Sequence, residues 1–217
     1  LTGMVLDING NPILSISSDT SAVASGYKMS LVKMDSNGNF IDTTWYFAPV
    51  SGNAFANDMK VRTDNSVVVS GKSGNGRGLL VKWDNQFNFE WALTIDSTQF
   101  VPSAINQIAL FANDDIAIAG FIQPGSGTTS TMVVHRYDGN GQLIWASTID
   151  SVNVSDDAKG IAIDNAGNVA VTGASGSTTA IVKLEGSTGS QLWRTIYNPT
   201  VPSEYGVKTA FTPIRDV

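Results

Sequence analysis

Four Asp/Asn/Gly clusters are the stretches of this sequence with the strongest look of a chemical site: DINGN at Asp7–Asn11, DSNGN at Asp35–Asn39, DGNGQ at Asp138–Gln142 and DNAGN at Asp164–Asn168. Oxygen side chains at alternate positions ahead of a glycine are how a calcium loop begins. Such a loop continues to a bidentate Glu at its twelfth position and lies between two helices, and neither follows here. Asp, Asn and Gly also tolerate left-handed backbone and hydrogen-bond their own turns. The clusters are therefore read as turns, and no metal ligand is assigned. His135 is the only histidine, so a Ser-His-Asp triad would have to use it. It lies inside the run MVVHRY, where strand packing accounts for it. GNGRG at Gly74–Gly78 lacks the following helix that a phosphate loop needs; the run LLVKW comes next, so it is a hairpin loop. Asn153-Val154-Ser155 matches a glycosylation acceptor and is read as coincidence. No catalytic residue and no cofactor is expected.

The elements that carry these residues come from a repeat. An apolar run ending in a basic and then an acidic residue recurs as LVKMD (Leu31–Asp35), LVKWD (Leu80–Asp84), VHRYD (Val134–Asp138) and IVKLE (Ile181–Glu185). Its basic residues Lys33, Lys82, Arg136 and Lys183 are 49, 54 and 47 apart. Trp91, Trp145 and Trp193 follow their basic residues by 9, 9 and 10 positions. Repeat one departs, with Asp42 at that place and Trp45 three residues later. VVVSG, IAIAG and VAVTG, ending at Gly71, Gly120 and Gly173, precede the basic run, and a fourth apolar stretch precedes those. Four short alternating runs per unit, separated by turn residues, read as four antiparallel strands, A to D.

Tandem four-stranded units of about 50 residues fit an all-β chain of β-propeller blades. A lone sheet of this kind leaves a face unburied, and stacking against like neighbours covers it. The recurring Trp91, Trp145 and Trp193 are the expected blade-packing plates, each burying roughly 150–250 Å². The glycine closing strand B is expected to admit a bend or a close backbone approach. The KLDxxGxxxW-type pattern resembles the bacterial and phage seven-bladed β-propeller repeat family. That resemblance covers nearly the whole chain and implies a fold, with secreted, cell-surface and phage structural members, but no active-site residues. Chain 1–217 is read as one propeller or propeller fragment, with blades at about 2–55, 56–104, 105–157 and 158–205 and a partial fifth at 206–217. GVKTAFTPIRDV matches AKGIAIDNAGNV at a constant offset of 48, so the chain reads as part of a longer chain or a multi-protein complex.

Composition narrows the function. Charged residues are 15% of the chain, the net charge is −6, and there are no cysteines. Typical domains carry about 25% charged residues, so a neutral polar coat is implied, a style common on extracellular proteins and virus particles. Disulfides, thiolate metal sites and cysteine nucleophiles are excluded. The 13 basic residues are scattered, which argues against a phosphate footprint and so against nucleic acid. No run approaches the ~18 apolar residues of a membrane span. The expectation is a non-enzymatic interaction module, extracellular or within a virion, whose partners are other protein subunits or a glycan. A bacterial adhesin is the alternative, and a quinoprotein-like enzyme the less favoured one.

In an up-and-down blade the A–B and C–D turns share one rim, and the B–C and D–A connections the other. The second set is the more variable in this sequence. Variable loops on a rigid scaffold are where binding concentrates, so Asn75, Arg77, Gln99, Phe100, Gln123, Ser126, Asn153, Asp156, Glu204 and Tyr205 are the candidate interaction residues.

Overall fold

A computed structural model describes residues 2–19, 26–49, 52–95, 100–124, 129–151 and 153–198. Every regular element among them is a strand, and no described helix is long and apolar enough to cross a membrane. Blade 1 is β1 (Gly3–Leu6), β2 (Pro12–Asp19), β3 (Tyr27–Met34) and β4 (Phe40–Tyr46). Blade 2 is β5 (Ala54–Val61), β6 (Val67–Ser73), β7 (Gly78–Trp83) and β8 (Phe89–Thr94). Blade 3 is β9 (Phe100–Leu110), β10 (Ile116–Pro124), β11 (Thr131–Tyr137) and β12 (Leu143–Ile149). Blade 4 is β13 (Asp156–Ile163), β14 (Val169–Ser175), β15 (Thr178–Leu184) and β16 (Gln191–Tyr197). Each blade is a separate four-stranded sheet in chain order, antiparallel throughout its described pairings. The expected partial unit at 206–217 lies outside the described residues.

The chain divides into two compact units, Leu1–Ile108 and Ala109–Val217. In the first, Ile13, Met29 and Leu31 of blade 1 pack with Met59, Val69 and Val81 of blade 2. In the second, Ala119, Val134 and Trp145 of blade 3 pack with Val171, Ala180 and Val182 of blade 4. These are inward-facing apolar strand residues of the repeat, and burying them at roughly 25 cal/mol per Å² is what stacking the two sheets of a unit gains.

Two backbone devices recur. Strand A starts earlier than the sequence pattern implies in blades 2 to 4, and in blades 2 and 4 it carries a bulge, between Ala56 and Asp58 and between Ala158 and Gly160. The bulge presses backbone onto the glycine that closes strand B. A Cβ on Gly71 would lie 1.7 Å from the Phe55 carbonyl oxygen, and one on Gly173 2.1 Å from that of Asp157. The expected close approach is therefore real, and it belongs to the bulged neighbour. The second device is a register shift directly after the basic residue: after Lys33, Lys82, Arg136 and Lys183. It follows from turns that put one residue in the left-handed region just before strand D, such as Gly38, Phe87 and Gly141.

Candidate functional site: the turn rim of the blades

The Asp-led turns are closed by their own carboxylates. In Asp7–Asn11, Asp7 Oδ1 accepts the N–H groups of Asn9 and Asn11, while Oδ2 accepts from Asn11 Nδ2. Asp35, Asp84 and Asp164 repeat the arrangement with Asn39, Asn88 and Asn168. Burial pushes the Asp7 carboxyl upward, but the Asn11 N–H and the Lys33 ammonium outweigh it and hold the group below the usual carboxylate range. The oxygens that suggested a calcium loop are thus engaged by turn amides, and among the described residues no three acidic or imidazole side chains converge.

The recurring basic residue has a partner that the sequence spacing does not announce. Two residues on, the acidic residue closes the next turn. The ion pair instead reaches back across strand B to the A–B turn of the same blade: Lys33 to Asp7 at 3.0 Å, Arg136 to Asp115 at 2.6 Å and Lys183 to Asp164 at 2.8 Å. Blade 2 opens its A–B turn with Arg62 instead, and Lys82 pairs with Glu90 on β8 at 2.6 Å. In blades 1, 3 and 4 these struts tie a middle strand to the A–B turn.

Basic residue and tryptophan face each other across the C–D hairpin, as Lys82 with Trp91, Arg136 with Trp145 and Lys183 with Trp193. Between blades 3 and 4 the pair forms a clamp. Arg136 Nη1 and Trp145 Nε1 both donate to the Gly186 carbonyl, at 2.7 and 2.8 Å. Arg136 also gives Nε and Nη2 to Asp115 Oδ2 and lies 3.9 Å over the Phe111 ring. Below the clamp, a Cβ on Gly189 would stand 2.5 Å from Trp145 Cε3, so the left-handed Gly189 lets the turn lie on the indole. An open cleft of about 810 Å³ runs along this rim, lined in part by Ala112, Asn113, Arg136, Asn165 and Ser187. Arg136 and Asp164 in its wall are spent on internal partners. What the rest of the cleft offers a ligand is shape, the apolar side chains of Leu110, Phe111 and Ile163, and the amides of Asn113 and Asn165.

Blade 1 lacks the tryptophan, and the structure compensates on the opposite side. Where Gly189 meets Trp145, blade 2 places Phe87 at φ 65, buried in the first unit's core with Lys33 5.8 Å above its ring. Asp42 faces Lys33 in place of tryptophan. Phe87→Gly relieves roughly 1 kcal/mol of left-handed strain and forfeits about 3–5 kcal/mol of ring burial. The first unit should lose about 2–4 kcal/mol in urea unfolding despite the improved backbone.

The tryptophans differ in environment. Trp145 is buried, Trp91 is half-buried with its Nε1 unpartnered, and Trp193 stands 45% exposed. Only Trp145 is the full blade-packing plate expected of all three. The candidate loop residues scatter. Gln99, Ser126, Glu204 and Tyr205 lie outside the described residues. Asn75 and Arg77 sit on a tight turn, since Ser73 and Gly76 close Ser73–Arg77 much as the A–B turns are closed; β6 and β7 run further than expected and leave no long loop. Phe100 opens β9, and Gln123 is an exposed residue near the end of β10. Asn153 is an exposed turn residue at φ 63. Asp156, expected in an interaction loop, is instead fully buried at the start of β13. Its carboxylate accepts from Ser151 N and Oγ and its backbone pairs with Ser130, while Val154 N donates to the Ser151 carbonyl and Gly176 N to that of Ser155.

His135 is a packing residue. Its Nδ1 lies 3.0 Å from the Tyr137 hydroxyl, and burial lowers its pKa to about 4 while raising that of Tyr137 to about 12. The unfolded chain takes up the histidine proton near 6.5, so the unfolded state binds more protons between pH 6.5 and 4 and stability falls as pH falls through that window. Unfolding at pH 7 and pH 4.5 should differ by about 2–3 kcal/mol from this group. His135→Gln should flatten the slope.

No family model matches the chain, and no curated protein does either. Solved structures match in fold. The Dos1 propeller aligns with a TM-score of 0.56 at 11% identity, over 91% of this chain and 47% of that one, so this chain spans about half of its length. A eukaryotic initiation factor (TM-score 0.47, 10% identity, 90% of this chain and 55% of that one) and streptogramin B lyase (0.42, 12%, 93% and 69%) align more distantly. Four antiparallel sheets in chain order, stacked in pairs through apolar faces within each unit and matched in fold to a solved propeller, make this chain a tandem of four-stranded β-propeller blades.

Proposed function

We propose that the chain is a non-enzymatic structural and interaction module of an extracellular assembly, most concretely a component of a tailed-phage particle, with other protein subunits as its partners. One observation carries the reading. The convergent charged groups of the rim are consumed by struts and turns within the blades, while large apolar side chains stand exposed on the edge strand D: Phe40, Ile41, Phe89, Leu143, Ile144 and Leu192. Phe40, Phe89 and Leu143 each open that strand in their blade. Exposed apolar stripes on edge strands invite a protein partner, and the low charge and neutral polar coat suit a particle surface. Quantitative mass spectrometry of purified particles tests it. A fixed copy number relative to the other particle proteins is expected, and recovery only with cell surfaces or free chains would overturn it.

A further inference from the structure

The A–B turns of all four blades are five-residue loops of one kind: Asp7–Asn11, Arg62–Ser66, Phe111–Asp115 and Asp164–Asn168. In each, the first residue donates its N–H to the carbonyl of the fifth, and the fourth donates to the carbonyl of the first. The fourth residues, Gly10, Asn65, Asp114 and Gly167, all hold the left-handed conformation. Neither bond uses the N–H of the second residue, which is Ile8, Thr63, Ala112 or Asn165.

In the first unit that N–H finds its acceptor on the neighbouring blade. Ile8 N donates to Asn65 Oδ1 at 3.0 Å, so the fourth turn residue of blade 2 latches the second of blade 1. The second unit has Ala112 and Gly167 at the two matching places. Glycine has no carboxamide to offer, and the Ala112 N–H has no acceptor among the described residues. Both residues line the open cleft of about 810 Å³, together with the half-buried apolar side chains of Leu110 and Ile163. A Cβ on Gly167 would meet nothing within 4 Å. The cleft lies where the first unit carries its latch.

We infer that this cleft binds a carboxamide side chain, asparagine or glutamine, from a segment of a protein partner. The ligand's carboxamide oxygen accepts the Ala112 N–H as Asn65 Oδ1 accepts that of Ile8, and Leu110 and Ile163 take apolar neighbours in the segment. A neutral group suits the wall, because its ionic side chains Arg136 and Asp164 are already paired with Asp115 and Lys183. That the partner is a protein rests on the proposed function; the carboxamide preference rests on the latch of the first unit alone.

Titration of acetyl-Val-Asn-Val-amide into the full chain, followed at the backbone amide resonances of Ala112 and Ile8, tests the site. The Ala112 resonance should shift and its hydrogen exchange slow, while Ile8, already latched, should not respond. The peptide with alanine in place of asparagine should bind about three- to tenfold more weakly, the worth of one neutral hydrogen bond. Two variants separate the site from general damage. Gly167→Asn has room for its side chain and repeats the left-handed asparagine of blade 2 at φ 66. It should leave urea unfolding unchanged and weaken the asparagine peptide about tenfold or more. Ala112→Pro sets proline at the second residue of a β-turn, where it is favoured, and removes the N–H. On that variant, followed at Asn113, the two peptides should bind equally. An Ala112 amide that exchanges slowly before any peptide is added would mean that the chain's own residues fill the cleft, and would overturn the site. So would an asparagine peptide no tighter than its alanine analogue on the unaltered chain, or one bound undiminished by Gly167→Asn. These readouts use no particle, so a chain that binds the peptide but is missing from purified particles would remove the proposed function and leave the carboxamide site standing.

Discussion

Trp145→Ala should destabilise the second unit by about 4 kcal/mol, while Trp193→Ala at the matching place in the next repeat should change it by less than about 1 kcal/mol. Both residues follow the same motif and face the same kind of basic partner. What differs is the neighbour. Trp145 is 7% exposed, touches the Gly189 turn and donates to the Gly186 carbonyl, so truncation opens a cavity and removes one of the two donors to that acceptor, leaving Arg136 Nη1 as the other. Trp193 is 45% exposed and leaves water where its ring was. Urea unfolding of the two variants measures the difference. Equal losses would mean that the repeat position, and not the covering turn, sets the energy.

The blades were legible because period-2 alternation, the basic-acidic run and the strand-B glycine recur at one spacing, and each is a local consequence of sheet geometry. The Gly71 and Gly173 contacts and the Lys–Trp cross-strand pairing follow directly from that spacing. Ion-pair partners were not legible. Asp7, Asp115 and Asp164 lie 26, 21 and 19 residues ahead of the bases they hold, and only pairing of β2, β10 and β14 brings them near. The loops misled for a related reason. Length between motifs was read as free loop, whereas strands β6, β7, β9 and β13 extend into it, and Asp156 is buried where an accessible residue was expected. Phe87 was missed because its turn breaks the glycine pattern. The absent tryptophan at Asp42 was the signal that could have found it, since one blade's gap is filled from the next.

Asp115→Ala should be the costliest single change to a charged group, about 3–5 kcal/mol. The sequence shows only that Arg136 stands where three other repeats carry lysine. The structure shows why the fork matters: Nε and Nη2 hold Asp115, Nη1 holds Gly186 of the following blade, and the plane covers Phe111. Lysine, a single point charge, can serve one of these partners. Arg136→Lys should therefore keep the Asp115 pair, lose the grip on blade 4 and cost less, about 1–2 kcal/mol. Removing Asp115 is worse, because it leaves a guanidinium 16% exposed with no counter-charge within the blade strut. The contrast is Lys183–Asp164, more exposed at 25% and 16%, where Asp164→Ala should lose chiefly its turn hydrogen bonds. A double-mutant cycle on Arg136 and Asp115 should give a coupling above about 1.5 kcal/mol, and the same cycle on Lys183 and Asp164 below about 1 kcal/mol. Equal couplings would place the strut's strength in charge alone and remove the inter-blade carbonyl from the account.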